Sequence, residues 1–383
     1  MTSLPTISPQ VPAFQWPEAG GEMAQRMAEF DWAAHPLGVP EGWPQSLRTT
    51  VSILLTSRYD MWMGWGPEFY FFCNDAYLPT LGLKKDWALG RPASEVWAEV
   101  WDDAGPRAES VLQTGRATWD ECLLLFLERN GYPEETYHTF SYSPVPDDAG
   151  GVGGMLCVVT EETERVIGER RLAVLQDLAE SLAAASSGQA LMEELGGCLQ
   201  RHRVDLPFSL VYLFDQHSSK GSGQAVLRSA TGCVPGTMPA PAVIPCQAAD
   251  DGDASPWPVA RILAEGEAME VSLEGLEDLP SSLYSEPRTA LVLPLFPHGQ
   301  EEPPAGFLVA GVNPCRPLDG SYRGFLDLVA GQISASLATA GAFEMERERA
   351  ESLLELDRVR RESATQLRES EERTRLAVEA GKV

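Results

Sequence analysis

No CxxC pair occurs among the seven cysteines, which stand scattered at Cys73, Cys122, Cys157, Cys198, Cys233, Cys246 and Cys315. An odd, unpaired set of this kind predicts reduced thiols; it argues against a disulfide framework and a zinc site. Basic residues are scarce: 29 Lys and Arg stand against 56 Asp and Glu, for a net charge of -27. Nucleic acid and anionic membrane surfaces both need a basic face, so neither is expected as a partner. No apolar run was found that approaches the roughly 18–20 residues of a membrane span. The opening "MTSLPTISPQVPAFQWPEAGG" has neither a basic n-region nor an apolar h-region and does not read as a signal peptide. A cytoplasmic protein is the expectation.

What is present is a globular composition, 44% hydrophobic and 8% aromatic over 383 residues, enough for two or three domains. Residues 1–29, rich in Pro, Ser and Gly, read as a disordered leader. In "FYFFCNDAYLPTLG", Phe69 and Phe71 would point one way and Tyr70 and Phe72 the other, so this strand is predicted to be covered on both faces. Its cover is either plain core or a bound small molecule. Phe69–Phe72 is placed as a central strand.

The rest of the chain alternates between the two periods. Leu47, Val51, Leu54 and Leu55 give one buried helical face. A longer helix ends near Gly115, and strand-like runs follow at Thr118–Glu128, Glu135–Pro144 and Val152–Thr160. The glycine-rich "PDDAGGVGG" between the last two reads as a hairpin turn, since no Lys-Ser/Thr follows as a phosphate loop requires. Val166, Leu172, Leu175, Leu178 and Leu182 mark a connecting helix over 163–190. Further strands are expected in "FSLVYLFD", Val226–Thr231, "RTALVLPLF" and "GFLVAGVNP", with a serine-capped helix in "SPWPVARILAEG". From Tyr322 the chain reads as helix almost to its end. Within it Leu353, Leu356 and Leu367 form an apolar seam with polar layers, predicted to pair in parallel with a second copy.

The motifs "CNDAYLPTLG…ALGRPASEVW" and "FSYSPVPDDAGGVGGMLCVVTEETER" resemble a PAS sensor domain. "RTALVLPLF…GFLVAGVNPCRPLDGSYRGFLDLVAGQISASLA" resembles the second half of a GAF domain, and "LRESEERTRLAVEAGKV" resembles the entry to a further PAS domain. Together they resemble the tandem PAS–GAF sensory region of a bacterial two-component (hybrid) sensor histidine kinase. The resemblance implies an α+β chain with two antiparallel-sheet sensor domains: a PAS domain together with its N-terminal helical leader over 30–162, the connecting helix over 163–190, GAF over 191–342, and a signalling coil over 343–383. It also implies a homodimer that passes signals to a C-terminal kinase, and through that parent to a response regulator.

None of the five histidines is followed by an acidic residue, and no ATP-binding glycine boxes occur, so no catalytic residue is assigned within this chain. The expected kinase would lie beyond Val383. No cofactor or metal is expected either. A photoreceptor flavin site would need a cysteine in "LKKDWALGRP", and a bilin site usually uses a Cys-His pair. His138, the sole histidine of the PAS region proper, alternates onto the face of Phe140 and Tyr142. Cys73 reads as a buried thiol, and Cys315, beside Arg316, as a surface one. Candidate residues for an unidentified small ligand are Phe72, Asn74, Tyr77, Trp87, Trp97, Trp119, His138 and Tyr142, although such an aromatic group equally suits a tight core. Two other outputs stay open. The same sensor would serve a diguanylate cyclase or a phosphatase, or the chain would be a stand-alone enzyme using acidic residues.

Overall fold

The computed structural model describes residues 14–183, 185–215, 223–246, 255–281, 284–299 and 302–380. The chain divides between Glu169 and Arg170 into two units. The class is α+β, with one antiparallel sheet in each unit and a long C-terminal helix.

The first unit begins with α1 (Gly21–Glu29) and α2 (Gln45–Thr56), whose residues Leu47, Val51, Leu54 and Leu55 are all buried. There follow β1 (Asp60–Trp65), β2 (Tyr70–Cys73), two single turns α3 (Leu78–Leu81) and α4 (Ala93–Val96), and α5 (Trp101–Thr114). Gly115, left-handed at φ 65°, stops α5 where its sequence predicts. Three strands complete the unit: β3 (Asp120–Leu127), β4 (Glu134–Pro146) and β5 (Val152–Glu161), the last two joined by the glycine hairpin. The sheet order is β2-β1-β5-β4-β3, all antiparallel.

Two expectations change here. β2 is an edge strand; the centre belongs to β5. Its aromatics are nevertheless buried on both faces, because the N-terminal segment covers the second one. Trp32 stacks on Phe72 at 5.4 Å between ring centroids, and Trp43 meets the same ring edge-on at 5.8 Å. On the other face Phe71 stacks on Trp62 at 5.3 Å. Phe69 itself lies in the turn before the strand, at φ 52°.

The leader is the second change. Residues 1–13 lie outside the described residues, but within 14–29 the helix α1 buries Met23, Ala24 and Met27 in the core. Methionines at i and i+4 give it one apolar stripe. The Asp75 carboxylate accepts the Glu22 and Met23 N–H groups at its start, at 2.9 and 2.7 Å. Asp75→Ala is expected to destabilise the first unit by about 1 kcal/mol, seen as a lower urea midpoint. An unchanged midpoint would mean that α1 does not dock.

The second unit takes in most of α6 (Thr163–Ala183), then α7 (Gly188–Arg201), which the Ser187 hydroxyl caps by accepting the Ala190 N–H at 3.2 Å. The connecting helix is therefore two helices, broken before that cap. After them come β6 (Ser209–Phe214), β7 (Gln224–Thr231), β8 (Val243–Pro245), α8 (Val259–Glu265), β9 (Met269–Ser272), β10 (Thr289–Leu295), β11 (Gly306–Gly311) and α9 (Gly320–Ala380). Pro258, not a serine, precedes α8; the Ser255 hydroxyl instead accepts the Trp257 N–H at 3.1 Å. The strands form one antiparallel sheet in the order β8-β7-β6-β11-β10-β9. Cys315 is fully buried, not a surface thiol, in the loop after β11.

Helix α9 changes character along its 61 residues. Tyr322, Phe325, Leu326, Val329 and Ile333 are buried in the core, each worth roughly 1.5–3 kcal/mol. Its Gly- and Ala-rich first half also makes α9 long and apolar enough over 18 residues to cross a membrane by composition, although polar residues interrupt the apolar run. Of that window, 39% is buried inside the unit. From Glu344 to Ala377 every residue is exposed.

Candidate functional site

Alternation along three strands sends one set of side chains toward α5: Leu125 and Leu127 from β3, His138, Phe140 and Tyr142 from β4, Cys157 and Val159 from β5. With Trp62, Tyr77, Thr80, Trp97, Val100 and Ala104 they line a cavity of about 40 Å³. A single water needs roughly 10–15 Å³ by the same measure, so the space suits a ligand of a few heavy atoms. Ordinary drug-sized and cofactor sites run to several hundred Å³.

The lining is apolar and aromatic apart from a few groups. Two of these, the Trp97 indole Nε1 and the His138 Nε2, are buried without a hydrogen-bond partner in the protein. An unsatisfied buried N–H costs about 1–3 kcal/mol, so a molecule offering an acceptor to Trp97 would recover that energy. The indole is held in place: the Lys84 ammonium lies 4.5 Å from its ring centroid and is itself fixed by Glu99 at 2.5 Å and the Val96 carbonyl at 2.8 Å.

His138 is 2% exposed. Burial pushes its pKa down to about 4, with Glu161 opposing and Arg129 adding to the shift. It is neutral near pH 7. Between about 6.5 and about 4 the unfolded chain takes up a proton at this residue that the folded chain refuses, so stability falls as pH falls through that window. The loss should reach about 3 kcal/mol by pH 4. Unfolding free energies of the wild type and His138→Gln measured from pH 7 to pH 4 should diverge by that amount; parallel curves would refute it.

Behind His138 lies a buried ionic cluster. The Arg129 guanidinium forks onto Glu161 at 2.7 and 2.9 Å and reaches Glu134 at 3.0 Å. Burial raises the Glu161 pKa, but Arg129 outweighs it and holds the carboxyl below its usual range. Thr163, the first residue of α6, donates its hydroxyl to Glu161 at 2.9 Å and accepts the Tyr137 N–H at 3.0 Å. One cluster therefore links the cavity histidine's surroundings to the root of α6.

Of the eight candidate residues, the cavity gathers Tyr77, Trp97, His138 and Tyr142. Phe72 faces Trp32 and Trp43 instead. Trp87 and Trp119 stand on the surface, 45% and 67% exposed, beyond the ends of the elements that would have buried them. Asn74 is fully buried but serves the backbone: its Oδ1 accepts the Met61 and Tyr77 N–H groups, and its Nδ2 donates to the Ser57 and Tyr59 carbonyls. Sequence reasoning missed Trp62, Leu125, Phe140, Cys157 and Val159, although the period of two that placed His138 would have marked the strand residues. Burial holds the Cys157 thiol well above its ordinary pKa, so it stays protonated.

No family model and no curated protein matches the sequence. Solved structures similar in fold to part of the chain include free methionine-R-sulfoxide reductase from Neisseria meningitidis in complex with its substrate. That match has 18% identity over 45% of this chain and 90% of that one, with a TM-score of 0.32. The GAF domain of the Acinetobacter phosphoenolpyruvate-protein phosphotransferase matches at 14% identity over 45% and 95%, TM-score 0.31. The phycoerythrobilin-bound GAF domain from a cyanobacterial phytochrome matches at 13% identity over 46% and 98%, TM-score 0.31.

Proposed function

We propose that the chain is the signal-sensing region of a cytoplasmic two-component sensor histidine kinase, a PAS domain followed by a GAF domain. A small neutral molecule bound against Trp97 and His138 would bias the first unit between two states. Two copies of α9 pair in parallel and carry the difference to a C-terminal kinase, which feeds a phosphorelay through a response regulator. A ligand acts only through its differential affinity for the two states, and the Glu161–Arg129–Thr163 cluster offers a route from the cavity to α6.

The observation that carries this reading is the division of α9. Its first third is core, while its remainder is bare and carries Leu353, Leu356 and Leu367 at 66%, 66% and 62% exposure. A helix in a protein draws most of its stability from packing an apolar face, and a second copy covers the seam. The order of the first sheet, with short helices between β2 and β3, supports the PAS assignment. The same sensor driving a diguanylate cyclase or a phosphatase is the second reading.

Light scattering of the 383-residue chain tests the core of the proposal. A dimer at micromolar concentration is expected. A monomer at high micromolar concentration would remove the helix pair, and with it this route of transmission.

A further inference from the structure

Helix α7 carries Cys198 and His202 four residues apart, on one face and at its C-terminal end. Across from them α6 presents Asp177. The three ligand atoms, one sulfur, one imidazole nitrogen and one carboxylate oxygen, all lie within 4.8 Å of one another. Among the described residues no other group of metal-ligating side chains converges in this way. Cys198 is fully buried, while the side chains of His202 and Asp177 keep 20% and 31% exposure.

We propose that Asp177, Cys198 and His202 form a binding site for one divalent ion of the zinc class, with its fourth position open to solvent. The donor set selects the metal. Calcium and magnesium want oxygen alone, whereas one thiolate, one imidazole and one carboxylate match zinc and its cobalt surrogate. Three protein ligands with a solvent-facing side also fit a tetrahedral ion with one exchangeable position.

The distances require little movement. His202 Nε2 lies 2.8 Å from Asp177 Oδ2. Ligands around a tetrahedral ion stand roughly 3.3–3.7 Å apart, given metal bonds of about 2.0–2.3 Å. Opening that pair by about half an ångström is a matter of side-chain torsions. The present hydrogen bond sets the protonation. A carboxylate only accepts, so Asp177 is the acceptor and Nε2–H the donor. On binding, Nε2 turns its lone pair to the metal and the ring proton resides on Nδ1. The Cys198 thiol loses its proton to solvent, so one proton is released for each ion bound.

Arg201 is the competitor. Its guanidinium forks onto Asp177 at 2.9–3.2 Å, supplying the positive charge that the ion would take over. The Cys198 thiol also bonds Asp177, and its sulfur is what turns this corner from a plain ion pair into a chelating one. Because α6 and α7 each contribute, an ion here would pin the two helices together. The site stands on these residues alone and does not depend on the sensory reading.

Cobalt titration of the reduced, chelator-treated 383-residue chain tests it. One equivalent of Co²⁺ should produce a sulfur-to-cobalt charge-transfer band with tetrahedral visible bands, and Zn²⁺ should displace it. Cys198→Ser should abolish the charge-transfer band. His202→Gln should weaken binding by more than the roughly 10–100-fold that follows loss of an outer partner. Arg201→Ala, which removes the competitor and no ligand, should tighten binding several-fold. No band at stoichiometric cobalt, or a band that survives Cys198→Ser, overturns the proposal. Should Cys198→Ser fail to fold, unchanged affinity in His202→Gln, a partly exposed position, overturns it equally.

Discussion

Replacing Leu353 and Leu356 together by aspartate is expected to turn a dimer into a monomer while both units stay folded. Neither side chain touches the core of the second unit; each is 66% exposed on the bare part of α9. Pairing two copies removes that exposed fraction from water. At two-thirds of the 1.5–3 kcal/mol for a whole leucine, the four side chains of a dimer supply about 4–8 kcal/mol. That is roughly three orders of magnitude or more in Kd, before any repulsion among the new carboxylates. The ion pairs along the helix, such as Arg347–Glu351 at 2.9 Å and Arg361–Asp357 at 2.6 Å, lie within one chain and contribute little to the pairing. Light scattering reads the mass and circular dichroism the folding. A double variant that remains dimeric would place the contact elsewhere.

Asn74→Ala is expected to destabilise the first unit by about 3–5 kcal/mol. One amide closes four backbone groups there: two N–H groups on its oxygen, at 3.1 and 3.2 Å, and two carbonyls on its nitrogen, at 3.2 and 2.7 Å. Truncation takes that partner from the Met61 N–H and from both carbonyls, while the Tyr77 N–H keeps the Asn74 backbone carbonyl at 3.2 Å. The Asn74→Asp substitution keeps the acceptor but loses both donors and buries a charge, so it should not rescue. Nine of the ten tryptophans precede Glu169, which makes intrinsic fluorescence a selective report on this unit during denaturation. A loss below about 1 kcal/mol would show that neighbouring groups or solvent replace the amide.

Much of the fold is legible from period alone. The three strand runs of the first unit, the helix closed by Gly115 and the strands around "LVLPLF" and "FLVAGV" all follow local alternation or a cap, and both act within a few residues. Strand order does not. Two-faced burial of Phe71 and Phe72 reads as a central strand, and only the return of Trp32 and Trp43 across the sheet lets an edge strand carry it. The site shows the same division. Alternation puts His138 beside Phe140 and Tyr142, and all three line the cavity. Asn74 reads as a pocket residue because the carbonyls of Ser57 and Tyr59 come to it through a chain turn that no local pattern encodes. The spacing of Cys198 and His202 is visible on a helix, but Asp177 joins them only through the packing of α6 on α7.

The edges of the first sheet bear on how the protein behaves when concentrated. An open strand edge is a template on which another chain can add, and unguarded edges are where β-rich domains aggregate. At β2 that template is already occupied: the Phe71 N–H donates to the Arg91 carbonyl at 2.8 Å, the Gly90 N–H to the Phe71 carbonyl at 2.9 Å, and Tyr70 bridges to Pro92. At β3, the other edge, the register slips between Asp120 and Leu123, with Cys122 left-handed at φ 49°. A bulge there bends the strand and breaks the regular row of donors and acceptors. The acidic side chains of Glu121 and Glu128 add like-charge repulsion against a second copy. One edge is capped and the other misshapen and charged, so open-ended strand-to-strand growth through this sheet is disfavoured even with its aromatic load.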